Sequence, residues 1–334
     1  MGKALVIDGD GHIVETPSEV MRFLPEEHKG RDNFWIPADS WNRTLNGTLG
    51  KMEADFPTRF KDMDAEGIDI AVLYATRGLG VDRIRDPEYA AVYCRAYDDF
   101  LADVCRQSPR FRGVALLCAG NLPAAVAELN RAVTKLGFVG GMLPAHAAGK
   151  DPGSPEFYPL YEEAQRLGVP IAIHASFNES ARTRFSSFIC HHTFDMATEM
   201  MAAMTGVILG GIPELFPRLR IGFLEAGVGW MPFWMDRMDS EYEKRSVEAP
   251  RLKARPSEYM RGGNLFYSGE GEEPSLSYAV GRIGEGSFLY ASDYPHWDME
   301  TDTVEKLRAR TDLSGSAKRK ILGENAIRFY GLKV

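Results

Sequence analysis

Acidic and histidine side chains stand directly after short apolar runs at three points in the sequence. The motif DGDGH occupies positions 8–12, His174 ends a second apolar run, and Asp293 follows a third. Imidazole nitrogens combined with carboxylate oxygens form a ligand set that suits zinc, manganese or iron rather than calcium. A catalytic site of this kind keeps one coordination position open for water or substrate. The sequence therefore predicts a divalent cation site, provided that the fold brings these segments together.

Each of these residues has an ordinary structural alternative when it is considered alone. A single histidine after a strand is commonly a buried side chain whose hydrogen bonds are satisfied, and Asp8 could simply cap the next loop. The combination is more specific, because separate strand ends each supply a ligand type. We therefore expect Asp10, His12, His174 and Asp293 to bind a metal ion together.

Strands must position these side chains, and the sequence contains eight suitable segments. Short β-branched runs end in polar or glycine residues and alternate with stretches of helical spacing, which is typical of βα units on a parallel sheet. The predicted strands are residues 4–7, 70–74, 113–117, 138–143, 169–173, 220–224, 264–267 and 287–291.

Eight such units predict an α/β fold of the (β/α)8 TIM-type barrel, in which catalytic residues lie at the C-terminal ends of the strands. We expect residues 1–334 to form a single domain. Residues 15–55 show no clear periodicity and are predicted to form a long insertion after strand 1, on the catalytic face. Residues 317–334 are predicted to form a C-terminal helix.

The overall composition restricts the class of partner. The 334 residues include 39 basic and 47 acidic side chains, a formal net charge of -8, which disfavours nucleic acid or an anionic membrane as a partner. The four cysteines form no CxxC pair. The N-terminus lacks a signal-peptide core, and no segment reaches the roughly 20 apolar residues needed to span a bilayer. We therefore expect a cytoplasmic protein with reduced thiols and a small-molecule substrate.

Five segments in a fixed order make the chain resemble a known family, the amidohydrolase superfamily, and in particular its aminocarboxymuconate-semialdehyde decarboxylase-like branch. The resemblance covers nearly the whole chain. It implies one divalent metal ion held by Asp10, His12, His174 and Asp293, with zinc first and manganese or iron as alternatives. It also implies a homodimer. The segments are DGDGH from Asp8, FKDMDAEGIDIAVLY from Phe60, YPLYEEAQRLGVPIAIHA from Tyr158, FPRLRIGFLEAGVGWMPFWMDRMD from Phe216 and YASDYPHWD from Tyr290.

Two departures from the family pattern concern the reaction. The more familiar opening is His-x-His, whereas Asp10 stands here, and a carboxylate at this place makes manganese or iron more credible beside zinc. Decarboxylases of this branch carry a catalytic histidine after strand 6, where this chain has Glu225. Glu225 is expected to act as general acid or base or as a further ligand, with a salt-bridged structural carboxylate as the alternative. His296 could supply the displaced imidazole, or could merely bond a loop carbonyl.

Four side chains are candidates for substrate binding. Arg59 lies where the resemblance places a carboxylate-binding arginine, although an ion pair on the helix face would explain it equally well. Arg77 follows strand 2 on the expected catalytic face, and His192 lies in a loop after strand 5. Trp230 would contribute to an aromatic-lined mouth, although most tryptophans in such folds are packing residues.

These observations favour a metal-dependent enzyme that cleaves C–C bonds, either a non-oxidative decarboxylase or a hydrolase of a small aromatic or ring-cleaved carboxylic acid. In the decarboxylase, Glu225 or His296 would protonate the carbon that loses carbon dioxide. The alternative is hydrolysis of an amide, lactone or related C–N or C–O bond by a metal-activated water whose proton Asp293 removes. A non-catalytic binding protein is a third hypothesis, against which the complete ligand set argues.

Overall fold

The computed structural model describes residues 4–31, 55–176, 184–296 and 299–334. Most of the predicted insertion, residues 32–54, lies outside the described residues. Its first part contains the helix Pro17–Met21, which is capped by Thr16, and the 3-10 turn Glu26–His28. The full extent of the insertion therefore stays a prediction.

Nine strands in the described part of the chain form two sheets in which every pair of neighbours is parallel. The sheet orders are β1-β2-β3 and β4-β5-β6-β7-β8-β9. β3 and β4 are the two parts of the third predicted strand, on either side of Val114. Because neighbouring strands run in the same direction, their C-terminal ends share one edge of each sheet. The strands are β1 Ile7–Ile13, β2 Ile70–Ala75, β3 Phe111–Gly113, β4 Ala115–Leu116, β5 Gly141–Pro144, β6 Ile171–His174, β7 Ile221–Leu224, β8 Leu265–Gly269 and β9 Phe288–Tyr290.

Helices alternate with these strands along the chain, which confirms the predicted α/β class. Glycine in the sequence before a strand predicts the end of a helix, and Gly67, Gly137 and Gly168 do cap helices, with φ angles of 74°, 76° and 73° that glycine adopts without strain. A π turn at Lys320–Glu324 joins the last two helices. After Pro17–Met21 the helices are Phe56–Glu66, Pro87–Cys105, Leu122–Arg131, Tyr158–Leu167, Phe188–Leu209, Ile212–Leu215, Met231–Arg245, Pro256–Arg261, Leu276–Ile283, Thr303–Ala309, Gly315–Arg319 and Asn325–Tyr330.

The first strand is longer than predicted. It spans Ile7–Ile13 rather than residues 4–7, so the DGDGH motif lies within the strand and not after it. Its pairing with β2 shifts register between Asp8 and Gly11. Such an irregularity interrupts the strict alternation of side chains. Strict alternation in DGDGH predicts that Asp8, Asp10 and His12 point the same way, and this prediction is wrong, because Asp8 lines a cleft that does not contain Asp10.

His192 was predicted to lie in a loop before a helix that starts at residue 194, and this prediction is wrong. The helix begins at Phe188 and places His192 within its first turns. No glycine or proline separates positions 188 and 194, so nothing in the local sequence stops the helix from starting earlier.

Large apolar side chains from strands and helices form one buried core. Its aromatic members include Tyr74 on β2, Phe223 on β7 and Tyr267 on β8, all with 1% exposure or less. Because the strand interiors are apolar, polar side chains of the strands concentrate near their C-terminal ends. No helix within the described ranges combines the length and the apolarity that crossing a membrane requires.

Two glycines allow the segment after β5 to approach the long helix Phe188–Leu209. A methyl group on Gly153 would overlap the carbonyl group of Gly206, which lies within this helix. The overlap involves backbone atoms, so a side-chain rotation cannot relieve it.

We predict that Gly153→Ala lowers the free energy of unfolding by about 1–3 kcal/mol, the usual cost of overpacking. The matched control is Gly281→Ala in the helix Leu276–Ile283, where a methyl group meets nothing within 4 Å. Alanine there is expected to be neutral or stabilising by up to about 1 kcal/mol. Denaturant unfolding of the three proteins measures both values, and equal stability of Gly153→Ala and wild type would contradict the prediction.

Candidate metal centre

Two buried histidines form the middle of the site, His12 near the end of β1 and His174 at the end of β6. The Nδ1 of His12 lies 3.0 Å from the carbonyl oxygen of Ala75, and the Nδ1 of His174 lies 2.9 Å from that of Ala175. A carbonyl oxygen can only accept, so each Nδ1 donates and a neutral ring keeps its lone pair on Nε2. The two Nε2 atoms lie 3.2 Å apart, so both lone pairs reach the same small space.

Three carboxylates border this space. Oδ1 of Asp10 and Oε2 of Glu225 lie 3.3 and 2.9 Å from Nε2 of His174. Oδ1 of Asp293 lies 3.5 Å from Nε2 of His12. Within the described part of the chain, Asp10 Oδ1 and Glu225 Oε2 are buried without a hydrogen-bond partner. Because unpaired buried carboxylate oxygens are costly, the donor set fits a divalent cation, which would satisfy them together with the imidazole lone pairs.

The two histidines experience different electrostatic surroundings. Burial lowers the pKa of His12 well below its usual value, and the neighbouring His296 and His174 lower it further. Burial also acts to lower the pKa of His174, but the charges of Glu225 and Asp10 outweigh it and raise this pKa well above its usual value. The carboxylates of Glu225 and Asp10 attract both a proton and a cation. The proton and the cation therefore compete for the Nε2 lone pair of His174.

Glu225 and Asp293 share an unusual backbone conformation. Their φ angles are 64° and 54°, in the left-handed region that residues other than glycine rarely adopt. Such positions concentrate at functional sites. Burial, and then the negative charge of Asp293, raises the pKa of Glu225 to about 7. A carboxyl group with a pKa near neutrality can both donate and accept a proton.

His296 lies beside these groups and is buried. Its Nδ1 is 2.7 Å from Oδ1 of Asp293 and 3.8 Å from Oε1 of Glu225. Its ring packs on that of His12, with 4.2 Å between centroids. The structure thus brings the three predicted catalytic residues into contact with the predicted metal ligands.

Ser268 is a further residue of the site, which the sequence reasoning missed. Its hydroxyl accepts the backbone N–H of Glu225 at 2.8 Å and donates to Oδ2 of Asp10 at 3.1 Å. Contacts of this kind orient ligands and increase metal affinity. The available signal was its place near the C-terminal end of β8, since serine carries neither charge nor a motif of its own.

Asp8 and Arg59 belong to a different buried cleft. Asp8 accepts hydrogen bonds from the backbone N–H and the hydroxyl of Ser292 at 3.0 and 2.7 Å. Burial raises the pKa of Asp8 to about 6. Arg59 is 2% exposed and donates to the carbonyl oxygen of His12 at 2.5 Å. Both side chains line a cleft that does not contain Asp10, so Arg59 supports the backbone of β1 rather than facing the metal-binding groups.

The other three candidates for substrate binding lie outside the histidine and carboxylate cluster. Arg77 is half-buried just after β2, and its Nε has no hydrogen-bond partner among the described residues. The indole N–H of Trp230 donates to the carbonyl oxygen of Ala226 at 2.9 Å, and its ring packs against the core. His192 is half-buried on its helix. Their part in substrate binding stays a prediction.

We predict that Ser268→Ala weakens metal binding about 10- to 100-fold, because Asp10 and the Glu225 backbone lose a shared partner. Competition with a chelator of known affinity measures the dissociation constant. Ser246→Ala, at an exposed position after the helix Met231–Arg245, is the matched control. Equal affinities of Ser268→Ala and wild type would show that the hydroxyl does not orient the ligands.

Known proteins share this sequence pattern. A family model described as amidohydrolase matches residues 7–332. The 2-amino-3-carboxymuconate-6-semialdehyde decarboxylase of Dictyostelium discoideum is 26% identical over 280 residues, which are 83% of this chain and 77% of that protein. The γ-resorcylate decarboxylase of Rhizobium radiobacter is 26% identical over 321 residues, which are 92% of this chain and 95% of that protein.

A solved structure shares the fold. The dihydroxybenzoic acid decarboxylase of Polaromonas sp. JS666, with bound manganese and the inhibitor 2-nitroresorcinol, aligns with a TM-score of 0.75 and 22% identity, covering 98% of this chain and 97% of that one. The two relatives confirm the expected branch. Because the family model spans all but the ends of the sequence, the chain belongs to the amidohydrolase family.

Proposed function

We propose that this protein is a metal-dependent, non-oxidative decarboxylase of a small aromatic or ring-cleaved carboxylic acid. The observation that carries the proposal is the convergence of the His12 and His174 Nε2 atoms, 3.2 Å apart, with unpaired oxygens of Asp10 and Glu225. Function resides in such a site rather than in the fold alone. The names of both relatives, decarboxylases of a carboxymuconate semialdehyde and of γ-resorcylate, support the reaction class.

We expect one divalent metal ion, with zinc first and manganese or iron as alternatives. Asp10, His12, His174 and Asp293 would hold it, with Glu225 adjacent. The mixed nitrogen and oxygen donors suit each of these ions, and the manganese in the Polaromonas structure gives that ion particular support. When bound, the ion supplies positive charge that stabilises an anionic substrate and the charge that develops on it during the reaction.

The side chains of the site divide the remaining work. Glu225, whose pKa burial raises to about 7 in the metal-free chain, is proposed to deliver a proton to the carbon losing carbon dioxide. His296, in contact with Asp293, forms a second group that can hold a proton. Arg77 is proposed to bind the substrate carboxylate through its free Nε. His192 and Trp230 are proposed to line the approach.

We also propose that Arg59 contributes to substrate binding indirectly. Its guanidinium group fixes the carbonyl group of His12. Burial lowers the pKa of Arg59 to about 10, although the charge of Asp8 partly offsets this effect. Arg59 therefore remains charged at neutral pH while it holds the end of β1 beside the metal ligands.

The two sheets are proposed to close into an eight-stranded barrel of a single domain. Val114 N–H donates to the Leu73 carbonyl oxygen at 3.2 Å, which links β2 to the segment between β3 and β4. His12 N–H donates to the Tyr294 carbonyl oxygen at 2.7 Å, which links β1 to the segment after β9. A homodimer in the cytoplasm, with no nucleic-acid or membrane partner, completes the proposal.

Hydrolysis of a C–N or C–O bond is a second candidate, favoured by one specific contact. The Nδ1 of His296 lies 2.7 Å from Oδ1 of Asp293. In hydrolysis Asp293 would remove a proton from the attacking water, and Glu225 or the adjacent His296 would protonate the leaving group. Decarboxylation needs a proton donor, but it does not need a base that activates water.

The reaction can be tested on protein stripped of metal and reloaded separately with zinc, manganese or ferrous iron. Each form is incubated with 2,6-dihydroxybenzoate, with carboxymuconate-type acids and with simple lactones and amides. We predict release of carbon dioxide from at least one acid, lost on stripping and restored on reloading, because the carboxylates cannot bind an anionic substrate without the cation. Turnover of a lactone or amide without carbon dioxide would favour hydrolysis, and a chain that binds no metal would contradict both reactions.

Two substitutions separate metal binding from proton transfer. We predict that His174→Ala loses the metal and all activity, because it removes one of the two convergent Nε2 atoms. Asp293→Asn is expected to retain part of the metal but to lose activity by at least about 100-fold, since a neutral amide can neither take a proton from water nor keep the charge contact with His296. Metal analysis and turnover of each purified variant give the two results, and activity near that of wild type in either would show that the site is misplaced.

A further inference from the structure

The loop after β2 is fixed by a buried carboxylate that the proposed reaction does not use. Glu15 is 1% exposed. Its Oε1 accepts the backbone N–H of Gly78 at 2.6 Å, and its Oε2 accepts the backbone N–H of Thr76 at 3.2 Å. One side chain therefore determines the position of the backbone on both sides of Arg77.

Thr76 extends from this fixed backbone to the catalytic histidine. Its hydroxyl oxygen lies 3.0 Å from Nε2 of His296. The opposite nitrogen of the same ring, Nδ1, lies 2.7 Å from Oδ1 of Asp293. His296 thus lies between a hydroxyl group, which is hydrogen-bonded to its Nε2, and a carboxylate, which makes a close charge contact with its Nδ1 outside hydrogen-bond geometry.

The chemistry of the two neighbours favours one direction for the ring proton. A carboxylate only accepts, whereas a hydroxyl group can donate or accept. A neutral imidazole with its proton on Nδ1 places the positive end of the N–H on the side of the Asp293 carboxylate and presents a lone pair to the Thr76 hydroxyl. With the proton on Nε2, a lone pair would face the carboxylate. The Thr76 hydroxyl would then accept the Nε2 proton, and its own proton would have no acceptor. Within the described part of the chain, its oxygen bonds no group other than His296.

We propose that Thr76 is a positioning residue that holds His296 in the tautomer with its proton on Nδ1, on the side of Asp293, and that Glu15 acts through Thr76 by fixing its backbone. The inference rests on the proposed function in so far as Asp293 and His296 take part in catalysis. The hydrogen-bond direction itself is a property of the folded chain, so it can be measured without substrate.

The tautomer can be read directly from nitrogen chemical shifts. The chain has 7 histidines, so protein labelled with ¹⁵N-histidine gives a resolvable set of ring signals, and His296→Gln identifies the signal of interest. The spectra are recorded on metal-free and zinc-loaded protein. We expect wild type and Thr76→Ser to show a protonated Nδ1 and an unprotonated Nε2 for His296. Thr76→Val, which removes the hydroxyl at nearly constant volume, is expected to show a mixture of tautomers.

Kinetics supply the second measurement. With the acid that wild type decarboxylates, we expect Thr76→Val to lower kcat about 10- to 100-fold with KM and metal content nearly unchanged, and Thr76→Ser to restore kcat. Glu15→Gln is also expected to lower kcat. The matched control is Thr134→Val, whose hydroxyl bonds the Asn130 carbonyl oxygen on an exposed helical surface.

The outcomes separate the inference from the proposed function. A wild-type His296 signal with the proton on Nε2, or a Thr76→Val spectrum identical to wild type, would overturn the positioning role whether or not the protein is a decarboxylase. A protonated Nδ1 that shifts in Thr76→Val supports that role even if no acid is decarboxylated, in which case the proposed function alone fails. Equal loss of kcat and of metal in Thr76→Val would indicate a merely structural role and would also overturn the inference.

Discussion

The meeting point of two imidazole lone pairs is the constraint on which the rest of the site depends. His12 and His174 cannot turn their Nε2 atoms away, because Ala75 at the end of β2 and Ala175 just after β6 hold the opposite nitrogens through backbone carbonyls. Moving either carbonyl would disturb a strand. The sheets themselves therefore fix two lone pairs 3.2 Å apart, an arrangement that is unfavourable until a proton or a cation lies between them.

The surrounding groups are held by bonds between strands rather than by each strand alone. Ser268 on β8 links Asp10 of β1 to the backbone of Glu225 after β7. Ser292, after β9, bonds Asp8 of β1. Because each link joins segments that are distant in sequence, the geometry of the cluster is a consequence of the complete fold, and small polar residues contribute to it as much as the charged ones.

The sequence alone predicted the α/β class, most strand positions and the residues that meet at the site, because residue type and place after an apolar run both carry information. It did not predict the register shift in β1, which no residue preference marks and which directs Asp8 away from Asp10. The left-handed backbone of Glu225 was likewise invisible, because glutamate does not prefer that conformation. Ser268 and Arg59 acquire their contacts only from tertiary structure, so neither spacing nor charge could reveal them.

The charge of the site bears on the proposed role of Glu225 as a proton donor. Asp10, Glu225 and Asp293 together bring three negative charges, and a divalent cation leaves one of them uncompensated. An anionic substrate adds another, so its binding favours protonation of the carboxyl group with the highest proton affinity. In the metal-free chain, burial and the charge of Asp293 raise the pKa of Glu225 to about 7, and Glu225 is the carboxyl group that we propose takes up this proton. In the proposed reaction, a carboxylate at this position would thereby link the arrival of an anionic substrate to the loading of the acid that the reaction consumes.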